Sequence, residues 1–263
     1  MSCQDEPRAT ISEYREFRPP EHLAGSVLCT WTQVTALAPR SQLVLPDCCV
    51  DVLLMNGVPM VAGPWTRPYT ADLPAGTTIV GVRCRPGFAS QMLGFPASEL
   101  LNLTIPLSDV WQRSGDASFA RAAEAAMLRE QMTALEAAVE ARIAGAAPSD
   151  AGTEAAIRWI ARHPQGRVRE LSAQIGLSAR QVQRRFSDAV GYGPRMFRSV
   201  LRFQRLLHLA SGSSTRSSLA QLAAEAGYAD QAHMTREVQR FSGRPPTALL
   251  ARSQSTLKLS NLV

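Results

Sequence analysis

The chain of 263 residues has few of the groups on which enzyme sites are built. It contains four histidines, and only His22 lies in the first half. A metal-dependent β-domain needs a cluster of His and Glu ligands, so a histidine-based metal centre is not expected there. No nucleophile elbow, phosphate-binding loop or dinucleotide motif occurs. The sequence therefore predicts neither an enzyme nor a bound cofactor.

Long apolar runs are also missing. No run reaches the roughly 20 residues of a membrane-spanning helix, and the polar first residues show no signal-peptide core. Lys258 is the single lysine beside many Arg and Ala residues, a composition typical of GC-rich bacterial genes. The cysteines are an odd number, which argues against a disulfide framework. They are Cys3, Cys29, Cys48, Cys49 and Cys84. We expect a cytoplasmic bacterial protein with no membrane partner.

Charge is divided unevenly along the chain. Residues 1–150 carry 11 Arg against 16 acidic residues, a net charge of −5. Residues 151–263 carry 17 Lys and Arg against 6 acidic residues, a net charge of +11. Such asymmetry predicts that the second half meets a polyanion. Duplex DNA is the default polyanion, because neutralising its phosphates releases counterions.

One helical pattern occurs twice in the basic half, over residues 168–194 and again over 219–246. The offset between the copies changes from 51 to 52, so the second copy has one extra residue in its turn. The matching positions are Leu171 and Leu222, Gly176 and Gly227, Val182 and Met234, Gly191 and Gly243, and Pro194 and Pro246. A repeat at this period indicates repeated structure. The unit is a small, basic helix-turn-helix, which points to DNA.

The first copy predicts a recognition helix that begins after Ser178. Ser178 and Gln181 form a capping-box pattern, and Val182, Phe186 and Ala189 share one buried face. At about 100° per residue, three polar side chains then point outward. These are Arg180, Gln183 and Arg184. Arg can bind guanine in a bidentate manner and Gln can bind adenine, so we expect base contacts here.

The second copy predicts the same arrangement. Asp230 is the expected N-cap, and Met234 and Val238 form the buried face. The residues left for DNA are Gln231, Ala232, Thr235 and Arg236, with Ala232 able to meet a thymine methyl group. His233 is expected at the protein surface or against a phosphate.

A helix over 194–210 connects the two copies and carries several arginines. We expect phosphate contacts from some of Arg195, Arg198 and Arg202, and solvation of the others. A separation of roughly 34 Å would place the two recognition helices in successive turns of the major groove.

Residues 153–250 resemble the DNA-binding domain of the AraC/XylS family of bacterial transcription regulators. The resemblance covers both helix-turn-helix units, the connecting helix and the closing Gly-x-x-Pro. It implies that the seven outward residues contact adjacent major-groove segments. It also implies promoter or operator DNA, RNA polymerase and a small-molecule effector as partners. Val238 and the pair Leu249 and Leu250 depart from the family pattern, which predicts a softer core in the second unit.

The first half is expected to be a β-domain. Residues 25–86 alternate in strands, and Asn56-Gly57 is a strong hairpin signal. Residues 11–113 resemble the cupin-like sensor domain that many such regulators carry. The predicted fold class is α+β: an N-terminal antiparallel β-sandwich or barrel with a helical extension, and a C-terminal all-α domain with two helix-turn-helix units.

The predicted boundaries are 1–113 for the sensor domain, 114–152 for a helical segment and linker, 153–250 for the DNA-binding domain and 251–263 for a loose tail. Residues 88–95 and 96–102 are expected to be short helices, and 116–144 one long helix. An apolar stripe follows the long helix. Its members are Leu128, Met132, Leu135, Val139 and Ile143. This stripe is interpreted either as a homodimer contact or as a face that packs on its own sheet.

Three arginines of the first half are candidates for binding an effector. Arg83 and Arg85, together with Arg67, could bind an acidic effector. The alternative interpretation is that these arginines form a salt bridge to Asp47 or Asp51 or are solvated.

The adjacent Cys48 and Cys49, expected on a strand edge, allow a second function. This is a thiol-based sensor or alkyl acceptor delivered by the DNA-binding domain. The alternative interpretation is that the cysteines are small buried hydrophobic residues.

Overall fold

The computed structural model describes residues 12–111, 117–125, 127–164, 166, 168–212 and 218–256. Cys3 and the segment examined for a signal peptide lie outside these residues. Among the described helices, none has the length and apolar character that crossing a bilayer would need.

An antiparallel β-rich part precedes a helical part, which confirms the predicted α+β class. The described strands are β1 Glu13–Phe17, β2 Val27–Val34, β3 Arg40–Val44, β4 Val50–Met55, β5 Val58–Ala62, β6 Tyr69–Leu73, β7 Thr78–Cys84 and β8 Thr104–Pro106. The described helices are α1 Ala89–Leu93, α2 Leu107–Val110, α3 Ala117–Glu124, α4 Leu128–Ala144, α5 Ala151–Arg162, α6 Val168–Ile175, α7 Ala179–Val190, α8 Pro194–Gly212, α9 Leu219–Ala226, α10 Gln231–Ser242 and α11 Pro246–Thr256. Short 3-10 helices cover Glu21–Leu23 and Ala97–Leu100.

The strands form a six-stranded sheet in the order β1-β2-β7-β4-β5-β8 and a two-stranded sheet of β3 and β6. The predicted hairpin at Asn56-Gly57 joins β4 to β5, where Met55 pairs with Val58. Asn56 and Gly57 have φ values of 49° and 78°. Positive φ at both central residues gives the turn the twist of the flanking strands.

The six-stranded sheet is covered on both faces. Alternate residues of β4, such as Val52 and Leu54, pack against α1, α3 and α4. On the other face, Trp31, Leu53 and Ile79 pack against Leu73 of β6, which closes a sandwich. Because successive side chains of a strand point to opposite faces, the same strand contributes apolar residues to the helix-covered face and to the face that packs on β6.

The predicted long helix over 116–144 is two helices. The chain is extended at Met127, which stands before α4, and α3 and α4 pack on each other and on the sheet. One straight helix from Ala117 to Ala144 would be about 42 Å long and would overrun a sheet of short strands. Breaking it lets both halves bury an apolar face.

The apolar stripe on α4 packs on its own sheet. Leu135 and Val139 are fully buried in the core between α4 and the strands, and Leu128, Met132 and Ile143 pack at its margin. Of the two interpretations left open by the sequence, intramolecular packing is correct.

The helical part follows a short connection. α4 ends at Ala144 and α5 begins at Ala151, so the predicted linker joins two helices. Asp150 caps α5 by accepting a hydrogen bond from the Gly152 amide. The final helix continues to Thr256, so residues 251–256 are helical rather than a loose tail. No Gly or Pro follows Pro246 to stop the helix.

The two parts share a hydrophobic core. Leu45 and Cys48 of the β-rich part belong to the same buried cluster as Phe186, Phe197 and Leu207 of the helical part. The Gln204 side-chain amide donates a buried hydrogen bond to the Pro46 carbonyl. The Cys48 thiol points to the Phe197 carbonyl, with 3.9 Å between sulfur and oxygen. We call residues 46–49 the docking loop.

Candidate nucleic-acid interface

The first helix-turn-helix is formed by α6 and α7. Gly176 follows the last residue of α6 and has a φ of 68°. Ser178 then caps the start of α7. The Ser178 hydroxyl accepts from the Gln181 amide, while the Gln181 side chain accepts from the Ser178 amide, which confirms the predicted capping box. Two otherwise unpaired donors at the helix start are thereby satisfied.

The outward face of α7 agrees with the sequence expectation. Val182 and Phe186 are buried. Arg180, Gln183 and Arg184 are all exposed. The Gln183 amide nitrogen lies 3.3 Å from the Ser187 hydroxyl on the same helix, so it would have to turn outward to meet a base.

The second helix-turn-helix is formed by α9 and α10. The Asp230 carboxylate accepts from the His233 amide at 2.6 Å, which confirms the predicted N-cap. A capping box of Ser218 and Gln221 starts α9. Sequence reasoning missed this cap, although the Ser-x-x-Gln spacing was visible in the sequence.

The candidate contact residues of α10 lie on its outer side. Gln231, Ala232 and Arg236 are exposed, and Thr235 is half-buried. The Thr235 hydroxyl donates to the Gln231 carbonyl at 2.9 Å, which leaves its lone pairs available as acceptors.

The core of the second unit is tightly packed despite its departures from the family pattern. Val238 is fully buried beside Met234 and Phe241, and Leu249 is also buried. The expected softer core is therefore not visible in the packing. Phe241 stacks at a tilt on Phe203 of α8, with 5.3 Å between ring centroids.

The three arginines of α8 have different environments. Arg195 is exposed. Arg202 pairs with Glu237 of α10, with 2.9 Å between Nη2 and Oε1, and so ties the connecting helix to the second recognition helix. Arg198 is half-buried; burial lowers its pKa, and the neighbouring charge of Arg202 lowers it further.

His233 was expected at the protein surface or against a phosphate, but it is half-buried and contacts neighbouring side chains. Its ring meets the Tyr228 ring edge-on at 5.4 Å between centroids, and its Nε2 lies 3.6 Å from Glu237 Oε1.

Family comparison agrees with this geometry. Residues 171–252 match the family model described as a helix-turn-helix domain. This part of the chain is therefore a helix-turn-helix domain. Residues 15–106 match a family model described as a domain of unknown function.

Solved structures similar to the chain include regulators with the same kind of domain. A probable AraC family transcriptional regulator from Rhodopseudomonas palustris is 22% identical, with a TM-score of 0.36, over 40% of this chain and 99% of its own. ToxT from Vibrio cholerae O395 is 10% identical, with a TM-score of 0.43, over 93% of this chain and 98% of its own. No curated protein sequence matches the chain.

Outside the helix-turn-helix domain, the three arginines predicted to bind an effector have different environments. Arg83 forms ion pairs with Asp51 and Asp47, at 3.0 and 3.5 Å. The salt-bridge interpretation is therefore correct for Arg83. Arg85 donates to the Ala24 carbonyl at 2.8 Å, and Arg67 is exposed between β5 and β6.

Burial alone would lower the pKa of Arg83, but the carboxylates of Asp51 and Asp47 raise it, so the guanidinium stays charged. Sequence reasoning missed Glu16 of β1, which lies 3.7 Å from Arg83 of β7. The strand β2 lies between these two strands in the sheet. The position of Glu16 on β1 becomes informative only once the strand order is known.

The described cysteines lie in the β-rich part, away from the outward faces of α7 and α10. Cys48 and Cys49 precede β4 rather than lying on it, and Cys48 adopts a φ of 68°. Cys29, Cys48, Cys49 and Cys84 are buried, and none of these four forms a disulfide bond. Burial raises the pKa of Cys84 to about 12 and raises those of Cys48 and Cys49. A thiolate, the reactive form, is thus disfavoured at these sites. Among the described residues, no group of three His, Cys, Asp or Glu side chains could hold a metal ion.

Proposed function

We propose that the protein is a sequence-specific transcription regulator in which α7 and α10 read adjacent major-groove segments of one operator. The observation that carries this proposal is the pair of capped helices with exposed Arg and Gln faces, held on one basic domain by α8. The proposed domains are 1–113 for regulation, 114–152 as helical connection and 153–250 for DNA binding. The proposed partners are operator DNA, RNA polymerase and a small-molecule effector.

The proposed base contacts divide between the two helices. On α7 they are Arg180, Gln183 and Arg184, and on α10 they are Gln231, Ala232, Thr235 and Arg236. Exposure at the N-terminal half of each helix supports this assignment, because that half of a recognition helix enters the major groove. We propose no catalytic role for these residues.

The test begins with an operator selected from random duplexes by the purified full chain. Anisotropy titrations then compare the wild type with Arg184→Ala and Arg236→Ala on that operator. Each variant is expected to lose about 1–3 kcal/mol of binding free energy and to relax specificity at one base position. Arg162→Ala removes an equal charge from an exposed position on α5 and is the matched control. Equal affinities in all four proteins would contradict the contact assignment.

We propose that regulation acts through the docking of the two parts. The docking loop contacts α8 through Phe197 and Gln204, and the end of α7 packs against the Ala97–Leu100 segment. A cleft of about 520 Å³ also lies between α1 and α7. An effector that altered these contacts would change how the recognition helices are held. Asp47 of the loop pairs with Arg83, which links the loop to the sheet.

A further inference from the structure

A second basic feature lies beside the reading face of the second recognition helix. A cavity of about 470 Å³ opens between α8 and α10. Four arginines line it, together with His233 and Glu237. They are Arg195, Arg198, Arg202 and Arg240. With His233 neutral, these side chains sum to a formal charge of +3, because one carboxylate offsets one of four guanidinium groups.

Part of the hydrogen-bonding capacity of this cavity is unused, although Arg202 Nη2 donates to the Ser199 hydroxyl and to Glu237. Nε and Nη2 of Arg198 and Nε of Arg202 are buried and have no hydrogen-bond partner among the described residues. Arg240 points its Nη2 at the Met196 sulfur, 3.8 Å away, which is a weak acceptor. Buried guanidinium donors without acceptors cost free energy, so their persistence calls for an explanation.

Glu237 does not supply that missing acceptor. Its Oε1 takes the hydrogen bond from Arg202, and its Oε2 is buried without a hydrogen-bond partner among the described residues. The carboxylate therefore fixes Arg202. The charge of Glu170 on α6 acts on Arg198 from outside the cavity lining, but the opposing effects of burial and of Arg202 are larger. Like charges held close together are stabilised by an oxyanion, and Arg binds phosphate oxygens in a bidentate manner.

The cavity adjoins the DNA-reading face without being part of it. At about 100° per residue, His233, Glu237 and Arg240 fall on one stripe of α10. Arg236, a proposed base contact, stands one turn before Arg240 and borders this stripe. A group bound in the cavity would thus flank the major groove that α10 enters.

We propose that this cavity is an oxyanion site that takes a phosphate group through Arg198 and Arg240, with Arg202 held in place by Glu237. The phosphate comes either from the DNA backbone beside the second recognition helix or from a free phosphate-bearing molecule. The first source rests on the proposed function, and the second does not. The inference sharpens the expectation from sequence, which placed phosphate contacts at Arg195, Arg198 and Arg202 alike and did not include Arg240.

Two measurements on the full chain test the site. The first follows the salt dependence of binding to a random duplex for the wild type, Arg198→Gln, Arg240→Gln and the control Arg162→Gln. Loss of one DNA phosphate contact is expected to reduce the slope of log K against log salt by about 0.9 in either cavity variant and not in the control. Arg240→Gln keeps the test valid if Arg198→Gln fails to fold.

The second measurement follows the Tm of the same proteins, without DNA, as inorganic phosphate replaces chloride at constant ionic strength. A rise in Tm of the wild type and of Arg162→Gln that is absent in the cavity variants, with salt slopes unchanged, assigns the site to free phosphate. Unchanged slopes and identical phosphate responses in all four proteins would overturn the proposal. A wild type that binds no duplex would refute the proposed function, yet the phosphate response would still test the cavity.

Discussion

At the residue scale, Arg83 shows why a charged side chain in a β-domain need not be a ligand-binding group. Its guanidinium lies among carboxylates contributed by β1, β4 and the docking loop. Burial raises the pKa of Asp47, and the charge of Arg83 opposes that rise. Removing Arg83 would leave these carboxylates without their counter-charge, which is strongly destabilising.

The thiols are the second feature that matters at this scale. We expect iodoacetamide at about pH 8 to leave Cys29, Cys48, Cys49 and Cys84 unmodified in the folded protein, since all four side chains are buried and inaccessible to the reagent. Intact-mass and peptide mass spectrometry would check this, with protein unfolded in urea as the control for full labelling. Rapid modification of a single one of these four in the native state would instead revive the thiol-sensor alternative.

At the scale of elements, the capped helix starts explain most of what the sequence allowed us to predict. Helix capping depends only on residues close in sequence, wherever the helix packs. The caps formed by Ser178 with Gln181 and by Asp230 could therefore be predicted. The division of residues 116–144 into α3 and α4 follows no local rule, since it depends on the width of the sheet beneath. The partners of Arg83 and Arg202 are equally non-local. The salt bridge of Arg83 to Asp47 or Asp51 was therefore one of several interpretations, and the pairing of Arg202 with Glu237 was not predicted.

The cap of α5 gives a prediction with a defined pH dependence. Asp150 accepts hydrogen bonds from Thr153 and Gly152 and pairs with Arg185 at 3.1 Å. Burial alone would raise its pKa, but the Thr153 hydrogen bond and the Arg185 charge hold it below the ordinary value of 3.8. Asp150→Ala is expected to lower the free energy of unfolding by about 1 kcal/mol at neutral pH.

A carboxyl with a depressed folded pKa stabilises the fold above its unfolded pKa and loses that contribution as pH falls through the folded value. The difference in the free energy of unfolding between wild type and Asp150→Ala should therefore narrow as the pH falls below 3.8. Urea unfolding across pH measures it, with Asp150→Asn as the variant that keeps a cap without the charge. A gap that is constant with pH would show that the carboxylate charge contributes nothing.

At the scale of the whole molecule, the two helix-turn-helix units differ in what surrounds them. Gly191 and Gly243 occupy equivalent positions at the ends of the recognition helices, with φ values of 96° and 69°. A Cβ at Gly191 would overlap the Pro64 ring of the β-rich part. A Cβ at Gly243 would find its nearest neighbour, Pro68 Cγ, at 3.9 Å. The first unit is thus the one pressed closely against the β-rich part.

This pair of glycines makes a matched experiment on domain docking. Gly243→Ala is expected to lower the free energy of unfolding by about 1–2 kcal/mol, the cost of a left-handed conformation at a residue with a Cβ. Gly191→Ala bears the same cost and adds roughly 1–3 kcal/mol of overpacking against Pro64. Denaturant unfolding measures both, and proteolysis of the segment between α4 and α5 reports loosened docking. Equal destabilisation with equal cleavage would contradict the docking contact.

The shared core has a consequence for how such proteins can be recombined. Because Leu45 and Cys48 fill space among Phe186, Phe197 and Leu207, the helical part cut from its partner would carry an open apolar socket. A fusion protein with a different sensor domain would need apolar residues of matching shape at this surface. Without them, the exposed apolar surface would promote aggregation. We therefore expect that neither part can be exchanged without matching changes in the residues of the shared core.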